Sequence, residues 1–171
     1  MPGGGKFAPA GRRMILPDLA ATEALAGRIA ARLRPGDAVL LEGPLGAGKT
    51  AFARALLRAA LGDPALEVPS PSYTLVQSYD APAFTLHHFD LWRLPGPGGL
   101  GELGWDDARQ DVVLVEWPDR LGDLRPAGAL AISFRVIGDT ARAVTLAGWD
   151  AARIGDLAQA APDAGCNDSK L

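Results

Sequence analysis

A glycine-rich loop set between a continuous apolar run and a helical pattern constrains this chain more than any other feature. The run "AVLLEG" begins at Ala38, the loop "GPLGAGKT" spans Gly43 to Thr50, and "KTAFARALLRAALG" follows. An unbroken apolar run of strand length belongs in the middle of a sheet, buried on both faces. Glycines then let successive backbone N–H groups converge on an anion without side-chain clashes. In the spacing GxxxxGK[ST], Lys49 reaches terminal phosphates and Thr50 offers its hydroxyl to Mg²⁺. The helix that follows points its positive end at the same anion. Candidate nucleotide contacts are Gly43, Leu45, Gly46, Ala47, Gly48, Lys49, Thr50 and Ala51. The chain holds 21 glycines, so coincidence has to be weighed. Random order at this composition gives such a match in roughly three chains per thousand, and the strand-before, helix-after context lowers that further. The loop is therefore read as a phosphate cradle.

The rest of the chain supplies elements to surround it. "RRMIL" reads as a short edge strand, and "DLAATEALAGRIAARL" as a helix with Asp18 as N-cap and Pro35-Gly36 as its stop. The second helix is closed by Gly62. "TLVQSYD" and "AFTLHHFD" are a strand pair, "WDDARQ" a short helix, and "DVVLVEW" a second buried strand stopped by Pro118, with a short helix after it. "ALAISFRVI" and "ARAVTLAG" form a closing hairpin turning at Gly138-Asp139. Residues 1–11 read as a flexible tail, 12–150 as one domain, and 151–171 as a marginal helix and a loose tail. The fold expected is a three-layer α/β domain with a mixed, partly antiparallel central sheet. Strand order is not readable from this pattern.

A Mg²⁺–nucleotide site needs oxygen ligands, and in α/β sheets these sit at the C-terminal ends of neighbouring strands. Asp90 ends "FTLHHFD" and Glu116 ends "DVVLVE", each a lone acid directly after apolar strand residues. Asp90 fits an acid that holds the metal through water. Glu116 fits a metal contact, an orienter of the attacking water, or a base. Lys49, Asp90 and Glu116 are thus the catalytic candidates, and Thr50, Ser72, Asp90 and Glu116 the metal candidates. "VPSPSYTLV" places Ser70, Ser72 and Thr74 ahead of a strand, either as turn chemistry or as a switch loop whose hydroxyl joins Mg²⁺ when a γ-phosphate is present. His87 and His88 point to opposite faces of their strand and so are poor joint ligands; His88 reads as a packed or hydrogen-bonded side chain. Trp92 and Trp117 follow the two acids and suit either a core or a partner surface.

Composition narrows the setting. Charged residues make up 22% of the chain, with a net charge of −3, so no basic excess advertises direct nucleic-acid binding. The single cysteine, Cys166, has no partner for an internal disulfide, and no Cys/His spacing suggests zinc. No apolar run reaches membrane-spanning length and the N-terminus lacks a signal core, so the cytoplasm is the expected location.

The order of motifs is specific. "GPLGAGKT", "SPSYTLV", "HHFDLWRL" and "LVEWPDRL" together resemble the TsaE (YjeE) family of bacterial P-loop ATPases over roughly residues 15–147. That family has a loop ending LGAGKT, a segment SPT-aromatic, a segment HFDLYR and a segment EWP. Two positions depart: Ser72 stands in place of the usual Thr and keeps the hydroxyl, while Trp92 replaces the usual Tyr and exchanges a phenol for an indole N–H. The resemblance implies a P-loop NTPase-like fold with ATP and Mg²⁺ as cofactors. It implies an accessory role in making threonylcarbamoyladenosine on tRNA, with the carbamoyl transfer performed by TsaD paired with TsaB. The TsaE-like chain would bind that pair, reach tRNA only through it, and hydrolyse ATP to reset the complex. The resemblance also makes Ser72 the switch hydroxyl and places the adenine near Asp18, Leu19 and Arg142. Two other classes stay open: a small-molecule kinase drafting Arg93, Arg109 or Arg120, and a nucleotide-binding regulator with little hydrolysis.

Overall fold

The computed structural model describes residues 11–157; the expected flexible stretch before Gly11, the loose tail after Leu157 and Cys166 lie outside the described residues. Among the described residues, seven strands form one sheet: β1 (Arg12–Leu16), β2 (Ala38–Glu42), β3 (Val76–Asp80), β4 (Thr85–Asp90), β5 (Val112–Glu116), β6 (Leu130–Val136) and β7 (Arg142–Ala147). Their spatial order is β1-β7-β6-β2-β5-β4-β3. Pairings β6–β2, β2–β5 and β5–β4 are parallel, while β1–β7, β7–β6 and β4–β3 are antiparallel. The sheet is thus mixed as expected, with a parallel centre and an antiparallel hairpin at each side.

The apolar strands β2 and β5 are buried on both faces, and their alternation divides the core in two. Val39, Leu41, Val112 and Leu114 face the helices α1 (Leu19–Ala30) and α2 (Lys49–Leu61), packing with Leu25, Ile29, Phe52, Leu56 and Leu57. Leu40, Val113 and Val115 face the opposite layer, where Leu100, Leu121 and the short helix α3 (Trp105–Ala108) cover them. Phe89 meets Trp105 edge-on there, with ring centroids 5.2 Å apart. This far layer is mostly 3₁₀ turns, including Pro118–Leu124 after β5.

Helix ends follow local chemistry. Asp18 caps α1 by accepting a 2.9 Å bond from the Ala21 N–H. The helix stops at Ala30 rather than running to Pro35, because the chain tightens into i→i+3 bonds: the N–H of Arg32 bonds Ile29 and that of Leu33 bonds Ala30. Gly62 closes α2 in a left-handed conformation, its N–H on Ala59.

Beyond residue 150, α4 (Ala151–Leu157) packs on the domain rather than standing apart from it. Leu157 is fully buried, and Arg28 donates to its carbonyl at 2.9 Å. Arg153 grips Asp37 with two bonds, 3.1 and 2.7 Å, donates to the Arg32 carbonyl at 2.7 Å, and lies 3.5 Å over the Trp149 ring. Both charged side chains are mostly buried, so cutting one leaves the other desolvated and unpaired. Arg153→Ala is expected to lower unfolding free energy by about 1–3 kcal/mol. Urea denaturation followed by circular dichroism checks this; an unchanged midpoint would mean α4 lies outside the cooperative unit.

Candidate active site

Register brings the chemistry together. Glu116 pairs with Leu41 of β2 on one side and with Asp90 of β4 on the other. The parallel strands therefore end level with one another, directly beneath the loop that leaves β2. Residues paired across parallel strands face the same side, so Asp90 and Glu116 both point toward the start of α2. A cavity of about 310 Å³ opens there. It is lined by Leu45, Gly46, Gly48, Lys49, Thr50 and Ala51 of the loop, by Ser70 and Ser72, and by Asp90, Trp92, Glu116 and Trp117.

The loop's geometry explains its glycines. Gly43 runs so close to β6 that a Cβ would stand 2.8 Å from the Phe134 carbonyl oxygen, and its φ is +144°. Gly48 caps α2 at φ +108°, leaving the first N–H groups of the helix without a side-chain cap and free to meet an anion. Ala47 is buried beneath the loop. The Lys49 side chain curls back so that its ammonium bonds the carbonyls of Gly43 and Pro44 and sits 4.1 Å from the Trp117 ring centroid. Burial pulls its pKa down, an effect opposed by the carboxylates of Glu116 and Asp90.

Each acid is buried and fully engaged. Glu116, 2% exposed, accepts from the Thr50 hydroxyl at Oε1 (2.9 Å) and meets His88 Nε2 at Oε2 (2.9 Å). Asp90, 6% exposed, takes the Ser70 and Ser72 hydroxyls at Oδ2 (3.1 and 3.3 Å) and the Trp92 N–H at Oδ1 (3.1 Å). The two serine hydroxyls also lie 2.9 Å apart. Ser72 was the hydroxyl singled out by the resemblance; Ser70, named with it among the candidate hydroxyls of this segment, reaches the same oxygen. Thr74 is exposed and lines no part of this cavity.

Among the described residues, two that are not glycine hold left-handed φ, Leu75 at 66° and Trp117 at 59°, and both border the site. Such residues cost about 1–3 kcal/mol each and persist only where surrounding contacts impose them. Leu75 donates to the Pro71 carbonyl at 2.7 Å and accepts from the Asp90 N–H at 2.9 Å, so the serine segment is tied to the backbone of the acid it touches. Trp117 packs on Trp92, centroids 4.4 Å apart, and Trp92 is half exposed.

His88 and His87 face opposite ways. His87 meets Ser78 at 2.7 Å on the exposed side of the β3–β4 hairpin. His88 is fully buried. With Glu116 as a carboxylate, two lone pairs cannot face each other at 2.9 Å, so Nε2 carries the hydrogen toward Glu116. Nδ1 has no partner among the described residues, which argues against a proton there.

The remaining expected positions divide. Leu19 and Arg142 line a second cavity of about 190 Å³, which shares Gly48 and Ala51 with the first. Arg142 also donates to the Ala47 carbonyl at 3.0 Å. Asp18 spends its carboxylate on the α1 cap and does not line that cavity. Of the arginines considered for a kinase, Arg109 bonds the Gly36 carbonyl, Arg120 pairs with its neighbour Asp119, and Arg93 stacks 4.8 Å from the Tyr73 ring centroid. None of the three lines the 310 Å³ cavity.

Known proteins are similar to this chain in sequence and fold. The family model described as threonylcarbamoyl adenosine biosynthesis protein TsaE matches residues 16–144. A tRNA threonylcarbamoyladenosine biosynthesis protein TsaE from Rickettsia felis is 35% identical over 130 residues, covering 75% of each chain. The protein of the same name from Bacillus subtilis is 36% identical over 126 residues, 72% of this chain and 77% of that one. The crystal structure of Bacillus subtilis YdiB superposes with a TM-score of 0.68 at 28% identity, covering 85% of this chain and 90% of the other. With the family model matched across most of the domain and the same motifs converging on one cavity, the chain belongs to the TsaE family.

Proposed function

We propose that this chain binds ATP with Mg²⁺, hydrolyses it, and serves threonylcarbamoyladenosine modification of tRNA by associating with the TsaB–TsaD pair in a nucleotide-dependent way. The observation that carries the ATPase half of this reading is the convergence of Lys49, Thr50, Asp90 and Glu116 in one cavity at the end of three level strands. The family supports the pathway half.

In this reading the backbone N–H groups of Gly46 to Thr50 cradle the phosphates. Lys49 exchanges the carbonyls of Gly43 and Pro44 for phosphate oxygens and neutralises charge on the leaving group. Thr50, Glu116, and Asp90 with Ser72 would hold Mg²⁺; two hydroxyl–carboxylate pairs, Thr50 with Glu116 and Ser72 with Asp90, line one cavity with oxygen donors that fit a hard divalent cation. The ion would supply charge neutralisation at the phosphates. Glu116 orients the attacking water and receives its proton, and the products are ADP and phosphate. Asp90 has a part besides the metal: through Ser70 and Ser72 it couples the segment before β3 to the state of the nucleotide. The adenine lies in the second cavity, between Leu19 and Arg142.

The partner reading draws on the rim. Leu45, 80% exposed, and Trp92 line the cavity from two segments, and Tyr73, 85% exposed, follows directly on the lining residue Ser72. Exposed apolar and aromatic side chains gathered in this way suit a protein partner. Contact with tRNA through that partner, rather than directly, agrees with a net charge of −3. ATP turnover should be slow for the chain alone and rise clearly when its organism's TsaB–TsaD pair is added; equal rates would remove the partner-gated reading.

Two substitutions probe the cavity. Lys49→Ala should weaken ATP binding by about 1.5–3 kcal/mol through loss of a charge-assisted contact, measured by titration calorimetry. Unchanged affinity there would sink the phosphate-loop assignment. Glu116→Gln should keep ATP binding and lose turnover, read by phosphate release; full turnover would take Glu116 out of the chemistry.

A further inference from the structure

We propose that His88 is a positioning residue for the hydrolytic step, fixing the carboxylate of Glu116; the inference rests on the ATPase reading above. His88 pairs in register with Leu114, one inward-facing row below the Asp90–Glu116 pair. It therefore stands on the same face as both acids, deeper in the core. Its Nε2 lies 2.9 Å from Glu116 Oε2, with the two side chains 0% and 2% exposed.

The unpaired Nδ1 makes this contact informative. A buried polar nitrogen without a partner costs free energy that an apolar side chain of similar size does not. The surrounding face is apolar, with Leu86 and Leu114 fully buried on it. A leucine would pack there without that cost. What histidine adds is one donor, aimed at one oxygen of Glu116.

That donor has a mechanical consequence. Thr50 alone, bonding Oε1, leaves the carboxylate able to swing about its last torsion. A second bond at Oε2 from the core side fixes the carboxylate plane. Oε1 is then kept on the side of Thr50 and the phosphate loop, where an attacking water must be met. His88 exchanges no proton in this scheme; it remains an N–H donor throughout.

The test uses the full chain with Mg·ATP and the TsaB–TsaD pair, measuring kcat, KM and melting temperature. His88→Leu should lower kcat about 10–100-fold, the usual effect of removing a partner that orients a reacting group, and leave KM for ATP unchanged. His88→Gln carries an N–H at the same reach and should recover most of kcat even if it melts no higher than His88→Leu. His88→Asn, which is too short, should not recover it, so the Gln–Asn comparison decides the matter if the leucine variant fails to fold. Wild-type kcat in His88→Leu beside a dead Glu116→Gln would overturn the positioning role and leave the ATPase reading intact. Full turnover in Glu116→Gln would take Glu116 out of the chemistry and the positioning role with it, whereas no ATP turnover by the wild-type chain with the pair would overturn the ATPase reading itself. Nitrogen-15 NMR of the imidazole should show the Nε2–H tautomer; a ring protonated at Nδ1 alone would also overturn the inference.

Discussion

The parallel pairing of β5 between β2 and β4 is the constraint on which the rest of the site depends. Three strands that share direction and register end at one level, and each end carries something different. Strand β2 gives the loop, β5 gives Glu116, and β4 gives Asp90. A slip of one residue in any pairing would turn an acid to the opposite face, among the apolar side chains around Trp105. The alternation of Leu40 against Leu41 and of Val113 against Leu114 prevents that slip, because every residue would exchange one core for the other. Hydrophobic packing on two faces thus sets the position of the charged groups at the edge.

The edge in turn concentrates costs. Lys49, Asp90 and Glu116 are all buried, and two left-handed non-glycine residues flank them. Each charge is held by partners from other segments: loop carbonyls and an indole for Lys49, two serines and a backbone N–H for Asp90, a threonine and a histidine for Glu116. Buried charge without such partners is unfavourable by several kcal/mol (about 3–5 on removal of one partner of a pair). The network is therefore what makes the folded edge tolerable. It also links the elements that a nucleotide would have to move, since the serines join the segment before β3 to β4.

The two acids are not equivalent. Glu116 bonds the loop through Thr50 and the deep core through His88, and both are fixed elements of the sheet and helix. Asp90 bonds the serines of an irregular segment. One acid is bonded to regular elements and the other to side chains of an irregular segment. This asymmetry supports giving Glu116 the water and Asp90 the coupling, a division that could not be made from two strand-end carboxylates alone.

The sequence by itself determined the loop, the strand before it, the helix after it and the two acids. These are local matters: glycine spacing, apolar runs and the residue that ends each run act over a few positions. It also determined that His88 shares a face with Asp90, since side chains alternate along a strand. Tertiary structure alone decided which strands are neighbours, because hydrogen bonds between strands join residues far apart in the chain and leave no local trace. From that pairing follows the His88–Glu116 contact, and the shared use of Asp90 by Ser70 and Ser72 and the packing of α4 through Arg153 and Asp37 are likewise contacts between segments far apart in the chain. A carboxylate at a strand end can be read from sequence; the group that holds it in place comes from another strand, and only folding brings the two together.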